Sequence, residues 1–208
     1  MVDTRFIDEL ASAAPTLGGG GAAAYCGALA AALASMVGNL TVGKKRYAEV
    51  EDDVRAALER LDAMRAQLVA LVDEDARAFE PLASAYRMPK STPEEAAAKD
   101  RAMQEALIGA CEAPLAIMRL CSTVIDECEF LAREGSRMAV SDAGVAVAFA
   151  RAALLGASLN VYINVGSISD EGRSRAYREE ADGLIADGVA RADAVYAYVA
   201  GTLGAPTA

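Results

Sequence analysis

The chain contains no histidine and no tryptophan, and aromatic residues make up 5% of its 208 positions. Without histidine the commonest general base is missing, and with it the Ser-His and Cys-His nucleophile pairs and most zinc sites. Acid–base chemistry falls to Asp, Glu, Lys, Tyr or Cys, and no metal site is expected. Cations are scarce: 20 Lys and Arg stand against 30 Asp and Glu, a net charge of −10. That balance argues against nucleic acid as a general partner and against an anionic membrane surface. The four cysteines, Cys26, Cys111, Cys121 and Cys128, show no C-x-x-C spacing. The start, MVDTRFIDEL, lacks the basic-then-apolar pattern of a secretory signal. Together these features predict a cytoplasmic protein with reduced thiols.

What is abundant is apolar mass, 54% of the chain, mostly Ala, Leu and Val. Alanine is the strongest helix former, so the fold class is all-α, a long-helix bundle of about six helices in one domain over residues 1–208. Two segments, Ala22–Leu40 and Ala143–Val165, are apolar nearly all round. The first is mostly alanine and the second carries Arg151, Asn160 and Asn164, so both read as the buried centre of a soluble bundle rather than membrane spans. Helices that need neighbours on every side are covered most completely by a second copy, and a homodimer is expected.

The punctuation predicts helices over Thr4–Ala14, Gly21–Thr41 and Lys45–Tyr86, the last with Pro81 inside it. The third carries a seam at Tyr47, Val50, Val54, Ala57, Leu61, Met64, Leu68 and Leu71, spaced three and four. Thr92-Pro93-Glu94-Glu95 forms a capping box opening a fourth helix to Glu134. Its seam is Leu107, Cys111, Pro114, Met118, Cys121, Ile125, Cys128 and Ala132, which assigns three thiols to the core. A fifth helix opens at Ser141-Asp142 and runs to Ser167. A sixth, capped by Ser169-Asp170-Glu171, turns Tyr177, Leu184, Ile185, Ala192, Val195, Tyr196 and Val199 inward.

Several residues break this pattern. Four glycines, Gly18, Gly19, Gly20 and Gly21, precede the first alanine-rich helix. They either let that helix pack tightly or leave its first N–H groups open to a ligand. The third-helix seam steps from Leu71 onto Asp75, an expensive place for a carboxylate unless it is paired or used. Burial there would raise its pKa. Asp142, beside Ser141, is either a helix cap or a carboxylate facing a cavity. Asn160 and Asn164 share a face of a buried helix and must find partners across the bundle or on a ligand. Lys44, Lys45 and Arg46 form the densest basic run; three cations at a helix start oppose its dipole, and an anionic ligand would explain them.

Six stretches, PTLGGGG, MVGNLTVGKKRY, LVDEDARAF, MPKSTPEE, SDAGV and NVYINVGSISDE, occur in this order over nearly the whole chain. In them the chain resembles the cyclodeaminase/cyclohydrolase family, the C-terminal domain of formiminotransferase-cyclodeaminase and its stand-alone relatives. The family often carries serine where this chain has Gly21. The resemblance implies a dimeric helical subunit and a tetrahydrofolate derivative as substrate, with no metal and no tightly bound cofactor. It points to Asp142, Asp75 and Lys45 as catalytic residues. Gly18, Gly19, Gly20, Gly21, Lys44, Ser141, Asn160 and Asn164 would bind substrate, the lysines meeting the anionic tail and the amides the pterin edge.

Hydrolysis of 5,10-methenyltetrahydrofolate to 10-formyltetrahydrofolate is the activity expected from a chain with no attached transferase domain. Cyclodeamination of 5-formiminotetrahydrofolate passes through a tetrahedral centre on the same carbon and is the alternative. A non-catalytic helical scaffold is a third, and would have no cavity around Gly19, Lys45 and Asp142.

Overall fold

A computed structural model describes residues 4–13 and 17–205. Among them the chain forms six α-helices and no strand: α1 (Arg5–Leu10), α2 (Gly19–Asn39), α3 (Glu51–Arg87), α4 (Pro93–Glu134), α5 (Val140–Val165) and α6 (Glu171–Thr202). Helix α1 stops at Leu10, and the Ala14-Pro15 boundary expected for it lies outside the described residues.

Local chemistry sets the helix ends. Thr92 Oγ1 accepts the Glu95 N–H at 3.2 Å and Glu95 Oε2 accepts the Thr92 N–H at 3.2 Å, the reciprocal box read from the sequence. Asp170 caps α6 by accepting the Arg173 N–H at 3.0 Å. The basic run corrects an expectation. Lys45–Val50 is a separate 3₁₀ helix broken at Tyr47, and α3 begins only at Glu51. Three acids, Glu51, Asp52 and Asp53, fill its first turn. They complement the helix dipole, whereas the lysines would oppose it. A second correction concerns α5. A short 3₁₀ turn, Arg137–Ala139, feeds it, so Ser141 and Asp142 lie within its first turn and Asp142 does not cap it.

Helices α2 and α5 form the centre, packed on each other, with α3 and α4 as a long hairpin on one side and α6 against α4 and α5. They run antiparallel: a Cβ on Gly19 would lie 3.4 Å from Asn160 Nδ2, a Cβ on Gly156 3.5 Å from the Ala23 side chain, and the Cys26 thiol donates to the Phe149 carbonyl. The approach is close because the residues are small; a Cβ on Gly27 would come within 2.9 Å of Cys121 Sγ. The fourth-helix seam is buried from Leu107 to Ala132 and the third-helix seam from Val54 to Leu71, whereas its expected first members, Tyr47 and Val50, lie in the preceding 3₁₀ helix and are half-buried. Tyr196 of α6 departs from its expected inward face and is 49% exposed.

By length and composition alone three segments could cross a membrane: Gly19–Asn39, Arg137–Val165 and, unforeseen, Pro93–Glu134. Here they pack against one another. Neither central helix is covered all round. Tyr25, Leu29 and Met36 of α2 and Leu40 at its C-cap face outward, as do Val145, Phe149, Leu159 and Ile163 of α5.

Cys111, Cys121 and Cys128 are fully enclosed. Burial pushes the first two thiols up to about 11 and about 12, and the third higher still. The thiolate is the reactive form. Iodoacetamide should therefore modify these three far more slowly in the folded protein than in guanidinium, as peptide mass mapping would show. Rapid inactivating alkylation of any one of them would contradict the core assignment.

Candidate active site

The open stretch at the start of α2 has a specific occupant. Its N-cap position, Gly18, has no side chain to offer, so the first N–H groups have no local partner. Asp75 reaches across from α3, and its Oδ2 accepts the Gly21 N–H at 3.0 Å. At Gly20 this carboxylate needs the space: a Cβ there would overlap the Asp75 carboxyl group. With that cap, α2 begins at Gly19, two residues before the expected start. Burial pushes the Asp75 carboxyl above its ordinary value, and the Gly21 N–H offsets only part of the rise.

Gly20 and Gly21 therefore carry opposite expectations. At Gly21 a Cβ would sit 3.5 Å from the Val72 carbonyl, an ordinary contact. Gly21→Ala should keep near-native turnover. Gly20→Ala should lower it by about tenfold or more by displacing Asp75, since about 1 Å of misplacement at a catalytic group is costly. Alanine would gain helix propensity at both sites, so thermal melting separates displacement from unfolding.

Asp75 lines a cavity of about 230 Å³ together with Gly18, Ala76, Ala78, Phe79, Ala110, Pro114, Asn160 and Asn164. The α3 seam delivers Asp75, and the last turns of α5 deliver both amides. Asn160 Nδ2 donates to the Gly156 carbonyl at 3.1 Å. Asn164 Nδ2 donates to the Ala110 carbonyl of α4 at 3.0 Å. That carbonyl is free because Pro114, four residues on, has no N–H to give it. An apolar groove of about 410 Å³ adjoins the cavity at Ala78 and continues past Pro81, Ser84 and Met88. Its one charged lining residue is Glu105, so it offers no partner to a carboxylate tail.

The remaining sequence candidates gather elsewhere. Lys44 Nζ lies 3.3 Å from Ser136 Oγ, tying the end of α2 to the start of α5. The Ser136 N–H donates to Thr41 Oγ1 at 2.8 Å, and the Arg137 N–H donates to the Tyr47 hydroxyl at 3.1 Å. The Arg137 N–H, with Arg46 and Lys44 nearby, holds the Tyr47 phenol below its usual range. Lys45 is exposed. Asp142 is half-buried and has no hydrogen-bonding or ionic partner among the described residues. Ser141 lines a separate hollow with Gly144, Val145 and Tyr196.

The rise along α5 from Asp142 to Asn160 is roughly 27 Å. Within one chain the structure thus brings together Gly18, Gly19, Gly20, Gly21, Asp75, Asn160 and Asn164. It leaves Lys44, Lys45, Ser141 and Asp142 at the opposite end. The sequence reading did not assign Ala76, Ala78, Phe79, Ala110 or Pro114 to the site; among these Phe79 is a wall and Pro114 the cause of the Asn164 bond. A proline inside a helix signals a free carbonyl four residues before it, but nothing in the sequence names the group that fills it.

Known proteins resemble this chain in sequence and in fold. The sequence model of the formiminotransferase-cyclodeaminase family matches residues 3–183. A methenyltetrahydrofolate cyclohydrolase of Methylorubrum extorquens is 46% identical over 194 residues, covering 93% of each chain. The formimidoyltransferase-cyclodeaminase of Mus musculus is 34% identical over 208 residues, 99% of this chain and 38% of its own length. The crystal structure of the formiminotetrahydrofolate cyclodeaminase of Thermotoga maritima superposes with a TM-score of 0.81 at 31% identity, covering 98% of this chain and 96% of that one. The chain belongs to the formiminotransferase-cyclodeaminase family.

Proposed function

We propose that the protein is a methenyltetrahydrofolate cyclohydrolase, hydrolysing 5,10-methenyltetrahydrofolate to 10-formyltetrahydrofolate, reversibly, in the cytoplasm. The observation that carries this is the 46% identity to a cyclohydrolase, end to end over 93% of both chains. Cyclodeaminase activity is the second reading, favoured by the 31% identical solved structure. Assay of both substrates, following methenyl absorbance and ammonia, decides between them. Methenyl turnover without ammonia release from the formimino substrate supports the first reading, and the converse supports the second.

The substrate carbon bridges N5 and N10 in an amidinium-like cation. Water adds to it, forming a C–O bond; the C–N5 bond then breaks, one water proton ends on N5 and the other is released. The chain's part is to hold the cation beside a carboxylate and to carry the proton. Asp75 suits the carrier: its raised pKa lies nearer the working pH than that of a solvated carboxylate. Asp142, with no other partner, suits the charge stabiliser, Lys45 the water-orienting cation and Lys44 the anchor of the anionic tail.

These roles can meet in one site if two copies pair. The outward apolar residues of α2 and α5 lie on two antiparallel neighbours and would make one surface between the two polar ends. A two-fold axis perpendicular to these helices would lay each copy's Asp75 end over its partner's Lys44–Asp142 end, while burying that surface. Each dimer then holds two composite sites, fed by folate alone and free of metal, tightly bound cofactor, nucleic acid and membrane. Light scattering should give twice the chain mass of 21.5 kDa at micromolar concentration. Lys44→Ala should raise KM by about tenfold, equivalent to ~1.4 kcal/mol, with little change in kcat, because a tail contact persists from ground state to transition state.

A further inference from the structure

The turn before α5 holds a methionine out in water. Met138 is 92% exposed, yet the backbone around it is fixed. The Ser136 N–H donates to the buried Thr41 hydroxyl at 2.8 Å, the Arg137 N–H to the Tyr47 hydroxyl at 3.1 Å, and the Ala139 N–H to the Ser136 carbonyl at 2.8 Å. A knob on a fixed turn meets a partner with little ordering left to do. One exposed methionine is ordinary on a protein surface. Met138 gains meaning from its company. The next most exposed large apolar side chains among the described residues are Ile163 at 74% and Leu159 at 68%, one helical turn apart near the far end of α5.

A stripe joins the two ends. Val145, Phe149, Ala152, Leu159 and Ile163 are exposed at helical spacing, and the half-buried Gly156 completes the row. Leu40 lies level with Met138, because its neighbour Thr41 accepts the Ser136 N–H. The stripe thus has a knob at one end. At the other it has two side chains four residues apart, and such a ridge leaves a groove that a side chain from a facing helix fills. An isologous pairing carries a surface onto itself, so its two-fold axis crosses near the middle of the stripe, close to Phe149. Met138 lies roughly 17 Å from Phe149 toward one end, and Leu159 and Ile163 lie roughly 15 and 21 Å toward the other. The knob of each copy therefore falls between the two ridge residues of the other. We propose that the stripe pairs with itself in a second copy of the chain, and that Met138 of one copy seats between Leu159 and Ile163 of the other. The contact rests on the paired-copy reading above and adds a residue to it. Asn160 and Asn164 directly follow Leu159 and Ile163 and line the cavity, so Met138 is what the second copy supplies at the cavity's edge.

The test is thiol crosslinking. Met138→Cys and Ile163→Cys are placed singly and together in the full chain with Cys26→Ser, treated with a short bismaleimide and run on a denaturing gel. Serine keeps a donor for the Phe149 carbonyl, and the other three native thiols are enclosed. Within one chain the two new thiols are roughly 38 Å apart, and in the proposed pair the two Met138 positions are roughly 35 Å apart. Only contact between position 138 of one copy and position 163 of the other brings reactive thiols together. The double variant should give a covalent dimer and each single variant none. Met138→Asp, a change at an exposed position, should leave helix content intact and raise the dimer dissociation constant by about tenfold or more, since each copy loses a buried apolar contact. A covalent dimer from Met138→Cys alone would overturn the proposal, because it sets like ends together. So would a light-scattering dimer whose double variant stays uncrosslinked, or one that Met138→Asp leaves equally tight. A native chain that is monomeric at micromolar concentration also overturns it, and flotation of that monomer with phosphatidylcholine vesicles would assign the stripe to a membrane. The gel reads contact without turnover. Crosslinking in a protein that turns over no methenyl substrate removes only the cyclohydrolase assignment, and methenyl turnover by a dimer that does not crosslink removes only this inference.

Discussion

Asp142→Asn lowers cyclohydrolase kcat by about 10²-fold or more, the usual scale for losing a positioned acid–base or electrostatic group. The substitution keeps the size of the side chain and removes its charge. Asp142 caps no helix end and has no partner among the described residues, so the fold and the proposed dimer should survive, as circular dichroism and light scattering would show. The same variant tests whether the site is composite. Asp75→Asn and Asp142→Asn chains, unfolded together in equal amounts and refolded, form mixed dimers as about half of the total for random pairing of an isologous dimer. If each site takes Asp75 from one copy and Asp142 from the other, every mixed dimer contains one intact site. Activity then returns to about a quarter of the native value. If both carboxylates acted within one chain, every site would carry a lesion and nothing would return. Near-native turnover of Asp142→Asn alone would remove it from the mechanism.

Asp75→Asn is the second large effect. Turnover should again fall by about 10²-fold, but with a different pH signature. As the proton carrier Asp75 starts ionised, so native activity declines as pH falls through its raised pKa. That acid limb should flatten in the variant's residual activity. Stability runs the other way. A carboxyl whose pKa is raised by burial is held more tightly as the acid in the folded state than in the unfolded chain. Its contribution to stability is present below the ordinary carboxylate value and lost as pH rises through the raised one. Asn is neutral throughout and can still accept the Gly21 N–H. At neutral pH the variant should melt no lower than the native protein while turning over far more slowly. A large fall in melting temperature would mark Asp75 as structural. An unchanged pH profile would move proton transfer to another group. Gain of stability on loss of an active-site charge is a familiar exchange.

The helical architecture was legible because it is periodic and locally punctuated. The seams from Val54 to Leu71 and from Leu107 to Ala132 required only spacing. The Thr92 box and the Asp170 cap required only neighbours in sequence. The six ordered stretches carried the family, and Asp75 and the two asparagines stood out as polar residues where burial penalises them. Tertiary structure decided what each of these touches. That Gly20 makes room for Asp75 depends on the way α3 packs against α2, and that the Ala110 carbonyl receives Asn164 depends on the α4–α5 contact. The separation of the candidates into two ends had the same origin. Lys44 and Asp142 are far from each other along the chain yet belong to one end of the bundle, while Asp142 and Asn160 lie on one helix and are held roughly 27 Å apart by its rise. Periodicity and capping are short-range and are written in the order of residues. The meeting of a carboxylate with the end of a distant helix depends on how whole helices pack, which is decided only when the core closes.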